Sequence, residues 1–185
     1  FDPAENIAVF SRKIADKLIV GFFDSESFGR DRDLAGCRPK VVTSIAMFYD
    51  LEDPNKFVSD VKTVMDPEGL WVVQMSYLPL MLKTNEFGNI CHEHLEYYSL
   101  TSLEYLLNLN GFEVVDVELK DTTGGSFRTY IRNRNADRNR SADTTYSAPA
   151  PDSGTAPRGH AAQLGLEDTD AYTRLAAWAT RSVPD

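Results

Sequence analysis

Apolar and polar positions alternate between two periods along the first two thirds of the chain. Ile7, Phe10, Ile14 and Leu18 recur at near-helical spacing and predict a short amphipathic helix over residues 5–17. Residues 18–23 are a compact apolar run that stops at Asp24, the pattern of a buried strand. Residues 25–38 are polar and carry little pattern. Residues 41–48 again read as a buried strand, followed by the polar turn Tyr49, Asp50, Leu51, Glu52. Asp53 and Pro54 then supply a helix N-cap and a first-turn proline, and Phe57, Val58, Val61, Val64 and Met65 fall on one helical face. The turn at Asp66, Pro67, Glu68 and Gly69 ends that helix, and residues 70–75 form the next strand. This strand–helix–strand rhythm predicts an α/β fold with a mainly parallel sheet covered on both faces.

Residues 76–99 have no clean period. Beyond them, Thr101 and Glu104 are spaced as a capping box, with Leu100 and Tyr105 as the accompanying hydrophobic staple. The helix they start carries Leu103, Leu106 and Leu107 and stops near Asn110 and Gly111. Residues 112–119 and 126–131 both alternate, with Thr123, Gly124 and Gly125 between them, so they predict an antiparallel pair. A parallel sheet finished by one reversed hairpin resembles that of a Rossmann-like class I methyltransferase after its first strand–helix units. Three regions are therefore predicted: a domain over residues 1–132, a flexible linker over 133–163, and the start of a further helical element over 164–185. The linker is rich in Arg, Asn, Asp, Ala, Pro and Ser. Tyr172, Leu175, Ala176 and Trp178 give the last region a weak helical stripe. No internal repeat is found.

Composition narrows the function classes. An apolar fraction of 42% suffices for one sizeable core, and no run approaches the ~20 apolar residues of a membrane span. A net charge of −9 argues against nonspecific nucleic-acid binding, which needs clustered cations. Two cysteines, Cys37 and Cys91, make neither a disulfide framework nor a zinc cluster, and a reducing cytoplasm is expected. The chain opens on Phe1, Asp2 and Pro3 with no initiator Met and no signal-peptide pattern, as a fragment of a longer protein would.

Three motifs point to a family. Residues 44–54 resemble the fourth-strand motif of nucleotide-sugar C-methyltransferases, residues 90–99 resemble that family's active-site signature around His92, Glu93 and His94, and residues 124–128 resemble its final hairpin. The resemblance covers about residues 1–132. It implies a class I sheet with the last strand antiparallel, N-terminally truncated here because the Gly-rich loop for S-adenosylmethionine (SAM) falls upstream of Phe1. The cysteine-rich zinc module and C-terminal domain of full-length relatives also fall outside the chain. Cys91 stands where many relatives carry Tyr.

C-methylation beside a ketone needs a proton to leave carbon before the methyl group arrives. The site must hold a base, a stabiliser for the enolate oxygen, and the donor methyl in line. An unperturbed imidazole, with a pKa of about 6.5, is largely neutral at cellular pH and suits the base. A positioned general base contributes about 100- to 10,000-fold. The resemblance implies His94 as base, with Glu93 or His92 supporting it or the enolate. If the segment is extended, His92 and His94 point the same way; if it is helical, they diverge by about 200°. The plain alternative is a histidine that caps the following helix or fills a polar gap. A metal reading of His92 and His94 lacks further ligands, since His160 lies in the linker.

For the cofactor, the resemblance implies Asp2 on the ribose hydroxyls, Phe23 and Asp24 at the adenine, and Ala46 with Met47 near the sulfur. Helix capping is the alternative for Asp2, and a turn acid for Asp24. Tyr77 and Asn85 lie on the segment leading into the signature, where a substrate lid would sit, with loop packing as their alternative. Of the adjacent Tyr97 and Tyr98, one faces the core and one the pocket; Tyr98 is taken as the substrate residue. Arg128 is placed to pair with a substrate diphosphate through its bidentate fork, or else faces water. The expected partner is a small nucleotide sugar, with no nucleic acid, membrane or resident metal. Rival readings are an O- or N-methyltransferase and a noncatalytic remnant.

Overall fold

The computed structural model describes residues 1–134, so the predicted linker beyond residue 134 and the helical element over 164–185 lie outside the described residues. Four strands, β1 (Val41–Ile45), β2 (Leu70–Ser76), β3 (Phe112–Lys120) and β4 (Ser126–Asn133), form one sheet in the order β1-β2-β4-β3. β1 and β2 are parallel; β4 runs antiparallel to both β2 and β3, with a bulge in β3 between Val114 and Asp116. The predicted terminal reversal is present, although only one of the three pairings here is parallel. β4 continues through Asn133, one residue into the predicted linker.

Five helices accompany the sheet: α1 (Glu5–Ser11), α2 (Ser25–Arg30), α3 (Pro54–Val64), α4 (Leu78–Thr84) and α5 (Leu100–Leu109). α3 begins as its sequence dictates, with the Asp53 carboxylate accepting from the Lys56 N–H at 2.9 Å and Pro54 at the first helical position. Its apolar face buries Val58, Val61 and Val64, each contributing roughly 1.5–3 kcal/mol relative to exposure. α5 packs Leu103, Leu106 and Leu107 into the same core, against Trp71, Val73, Met75, Phe127 and Ile131 of the strands. The indole Nε1–H of buried Trp71 donates to Ser44 Oγ at 3.0 Å, so the only polar atom of that side chain is satisfied. Phe48, fully buried at the exit of β1, contacts Phe57, Trp71 and Tyr98 and joins sheet, α3 and the later loop into one cluster.

Several expectations change. Residues 18–23 do not join the sheet. Their extended pairing is one parallel bridge between Val20 and Asp2, bonded through Asp2 N–H to Ile19 O and Gly21 N–H to Asp2 O, both at 3.1 Å. A ladder cannot extend where a single residue lies alongside. The predicted strand over 41–48 is shorter, ending at Ile45, and it is an edge: Val41 is 60% and Ile45 49% exposed, while Ser44 turns inward. The helix predicted over residues 5–17 stops at Ser11, and its stripe of Ile7, Phe10 and Ile14 stays at the surface. α5 starts earlier than predicted. Ser99 is its N-cap, and Ser102 rather than Glu104 closes the box, with Ser99 Oγ accepting from Ser102 N–H (3.2 Å) and Ser102 Oγ accepting from Ser99 N–H (3.0 Å). A serine hydroxyl at the third helical position does what the longer Glu side chain was expected to do. α4 was not visible in the periodicity at all. No described helix is long and apolar enough to cross a membrane.

Candidate active site

β1 and β2 run parallel, so their carboxyl ends open on one edge of the sheet, and the β3–β4 turn at Gly124 and Gly125 reaches the same edge because Ser126 pairs with Ser76. The chain leaves β1 through Ala46, whose φ of 53° is left-handed, while its N–H still donates to Gln74 O at 2.9 Å. Such a conformation costs an alanine roughly 1–2 kcal/mol. It turns the chain into a single 3₁₀ turn, Phe48–Asp50, in which Phe48 drops into the core and Tyr49 and Asp50 are presented at the strand tip.

That turn holds the histidine segment. The carbonyl of Tyr49 accepts two backbone N–H groups, from Leu95 at 2.9 Å and Glu96 at 3.0 Å. Residues 91–94 form neither strand nor helix but a turn, closed by His94 N–H to Cys91 O at 3.3 Å. The imidazole of His94, half-buried, lies against the Tyr49 ring with centroids 4.1 Å apart. Further along, Tyr98 O accepts from Leu78 N–H at 3.0 Å, and the buried Tyr98 ring packs on Phe48 at 5.4 Å. The signature is thus pinned to both strand ends.

The turn separates the two histidines. The side chain of His92 is 91% exposed and lies 3.4 Å from the Glu93 carboxylate, itself well exposed, whereas His94 packs on the Tyr49 ring. The Glu93 carboxyl is held below its ordinary value by its own backbone N–H first, then by the Cys91 thiol and His92. Burial raises the Asp50 carboxyl, with Glu93 adding to that rise and His94 opposing it. Burial also raises the Tyr49 phenol, helped by the charges of Asp50 and Cys91. Tyr49 and Asp50 were read from sequence as an ordinary polar turn. Their position immediately after Ala46 and Met47, at a strand tip, was the signal that could have singled them out.

Among the residues expected at the donor, Asp2 uses Oδ1 to accept from Ala4 N–H at 2.9 Å, and its Oδ2 takes no hydrogen bond among the described residues. Phe23 stands between Phe1 (5.3 Å) and Phe57 (5.5 Å), edge-on to both. Asp24 is the N-cap of α2: Oδ1 accepts from Ser27 N–H and Oδ2 from Ser27 Oγ, each at 2.7 Å, and these bonds lower its pKa. Met47 is half-buried against the core. Of the expected substrate residues, two lie in the core. Tyr98 is a core side chain, and Tyr97 is the surface one, with its hydroxyl donating to Asn89 O at 3.4 Å. Tyr77 is also core, its ring 4.6 Å from Phe127, because it caps α4 where the chain turns inward. Asn85 ends α4 in the left-handed conformation (φ 51°) that Asn tolerates well. Arg128 faces neither core nor open water: Nε donates to Gln74 Oε1 at 2.9 Å and Nη1 lies 3.8 Å from Glu118.

Comparison with known proteins decides the family. Residues 2–117, more than half of the chain, match the profile described as a methyltransferase domain. The chain belongs to that family. This methyltransferase domain is 32% identical over 136 residues to the C-methyltransferase NovU of Streptomyces niveus, a match covering 74% of the chain and 32% of that protein. The chain therefore spans about a third of the length of the curated relative it matches. Solved structures share the fold. A Haloferax volcanii complex that contains the Trm112 methyltransferase activator aligns with TM-score 0.54 at 15% identity, covering 71% of this chain and 70% of that one. The PH0226 protein of Pyrococcus horikoshii aligns with TM-score 0.51 at 18% identity, covering 71% and 69%.

Proposed function

We propose that the protein carrying this domain transfers a methyl group from SAM to a carbon alpha to the keto group of a nucleotide-linked deoxysugar, with His94 as the base. The observation that carries the reading is the half-buried His94 imidazole, packed at a tilt of 45° against the Tyr49 ring beyond the carboxyl end of β1. The similarity to a C-methyltransferase supports carbon as the acceptor. When bound, SAM supplies an electrophilic methyl group. The residues expected at the donor suit parts of it. Asp2 keeps a carboxylate oxygen for a ribose hydroxyl, and Phe23 and Met47 offer apolar surface. Asp24 fits less well, since both its oxygens already cap α2.

His94 takes the proton from the sugar carbon: the C–H bond breaks, an N–H bond forms, and the electron pair moves onto the carbonyl oxygen. Tyr49 fixes the ring plane, while its phenol, raised by burial, stays protonated and able to donate to that oxygen. Proximity and orientation supply the remainder of the acceleration. His92, turned to solvent, has at most an indirect part, and Glu93 supports the segment through its contact with Cys91. Two free cysteines are consistent with the reducing cytoplasm we assign to the protein. In the full-length protein, His94→Ala should remove methyl transfer while calorimetry with S-adenosylhomocysteine shows undiminished binding. Loss of that binding would make the histidine structural, and retained transfer would favour an O- or N-acceptor needing no carbon base.

A further inference from the structure

We propose that Asp60 is a positioning residue for the donor site: from α3 its buried carboxylate holds the segment at residues 23–25 in place relative to the strand-tip turn that carries Tyr49. The inference rests on the reading of Phe23 as apolar surface for SAM, and it adds a residue that neither the motif resemblance nor any likeness to known proteins assigned.

Asp60 shares its burial on α3 with Val58, Val61 and Val64, and it is only 9% exposed. A carboxylate in such a place is costly unless it is bonded, and an apolar side chain of similar size often serves stability as well. Both oxygens of Asp60 are bonded. Oδ2 accepts from Lys56 Nζ at 2.5 Å, a contact within α3 itself to a side chain that is well exposed. Oδ1 accepts from Ser25 Oγ at 2.7 Å, a contact 35 residues back along the chain, to the first residue of α2. The second bond joins α3 to the segment that Phe23 belongs to.

Ring packing continues the connection on the other side. Phe57, three residues before Asp60 and on the same side of the helix, is edge-on to Phe23 at 5.5 Å and to Phe48 at 6.0 Å. Phe48 opens the strand-tip turn, and the ring of Tyr49 that follows it meets the His94 imidazole. Contacts therefore run unbroken from residues 23–25 through α3 to the proposed base. Apolar burial is non-directional and lets rings slide, whereas a hydrogen bond to an ionised acceptor is directional and roughly twice as strong as a neutral one. Asp60 supplies the directional member of the set and so fixes where Phe23 stands.

The full-length protein tests this through calorimetry with S-adenosylhomocysteine and steady-state kinetics, on variants shown to be folded by circular dichroism. Asp60→Ala and Ser25→Ala should each weaken binding about 3- to 10-fold, because the freed segment must then be ordered when the ligand binds. Ser25 is half-buried at a helix start, so Ser25→Ala reads the same bond should Asp60→Ala not fold. The double variant should bind no more weakly than Asp60→Ala, since both changes remove one bond. Asp60→Asn keeps an oxygen for the Ser25 hydroxyl and should bind within about twofold of native. KM for SAM should rise with the binding loss while kcat at saturating SAM stays within about twofold, a split that loss of folded protein does not produce. Native affinity in Asp60→Ala or Ser25→Ala, additive losses in the double variant, no regain with Asn, or a lower kcat at unchanged KM would overturn the proposal. Phe23→Ala tests the underlying reading separately. If it also binds at native affinity, Phe23 is not at the donor and both readings fall; if it weakens binding while the Asp60 and Ser25 variants do not, only the role of Asp60 falls.

Discussion

Gly124→Ala probes how the β3–β4 turn holds the segment leading to His94. Gly124 has a φ of 74°, and a methyl group there would meet the Glu86 side chain inside contact distance at Cγ, 2.8 Å from Cδ and 2.9 Å from Oε2. The left-handed backbone costs an L-residue roughly 1–2 kcal/mol. To make room, Glu86 must also rotate and release the Gly88 N–H that its Oε1 accepts at 2.6 Å. Losing that bond costs about 0.5–1.5 kcal/mol, and an off-rotamer side chain about as much again. The sum is about 2–5 kcal/mol, which at a urea slope of about 2 kcal/mol per M lowers the midpoint by about 1–2.5 M. Glu86→Ala removes all three clashing atoms, so in that background Gly124→Ala should cost only the backbone share, about 1–2 kcal/mol. Equilibrium urea unfolding of the four proteins gives a coupling energy of roughly 1 kcal/mol or more. Equal penalties in both backgrounds would refute the packing of Glu86 over the turn, and with it the tether between the turn and the segment leading to His94.

Phe48→Ala should destabilise by about 3–5 kcal/mol and reduce activity beyond the loss of folded protein, because Phe48 joins Trp71 and Tyr98 beneath the Tyr49 turn; unfolding and specific activity per folded molecule check both parts. Asp24→Ala should cost about 1 kcal/mol through loss of the α2 cap. Because its folded pKa is lowered from 3.8, that stability is present at neutral pH and disappears as pH falls below the unfolded value, so the native and variant midpoints should converge in acid.

Much of the sheet was legible because local signals and tertiary packing agree. Asp53 and Pro54 start α3, alternation marks β3 and β4, and Gly124 with Gly125 supplies the turn between them. The failures have physical causes. The apolar run at residues 18–23 reads as a strand, yet a strand needs a neighbour, and among the described residues only Asp2 pairs with it. α4 carries Leu78, Leu80, Met81 and Leu82 nearly all round, so no single period marks it, and its ends are set by Pro79 and the left-handed Asn85. In the site, residue type alone could not separate His92 from His94. That separation comes from the turn closed between Cys91 and His94, and from the two N–H groups held by Tyr49 O, neither of which has a sequence signature. Tyr97 and Tyr98 were likewise unassignable until the Phe48 contact placed Tyr98 inside.

Proton removal from carbon can be watched without methyl transfer. The full-length protein, saturated with S-adenosylhomocysteine in deuterated water, is given the keto-deoxysugar nucleotide, and deuterium entering the sugar is followed by mass spectrometry. The account predicts exchange at the carbon beside the ketone with the native protein and none above background with His94→Ala. Native-rate exchange in His94→Ala, or no exchange in either protein, would contradict it.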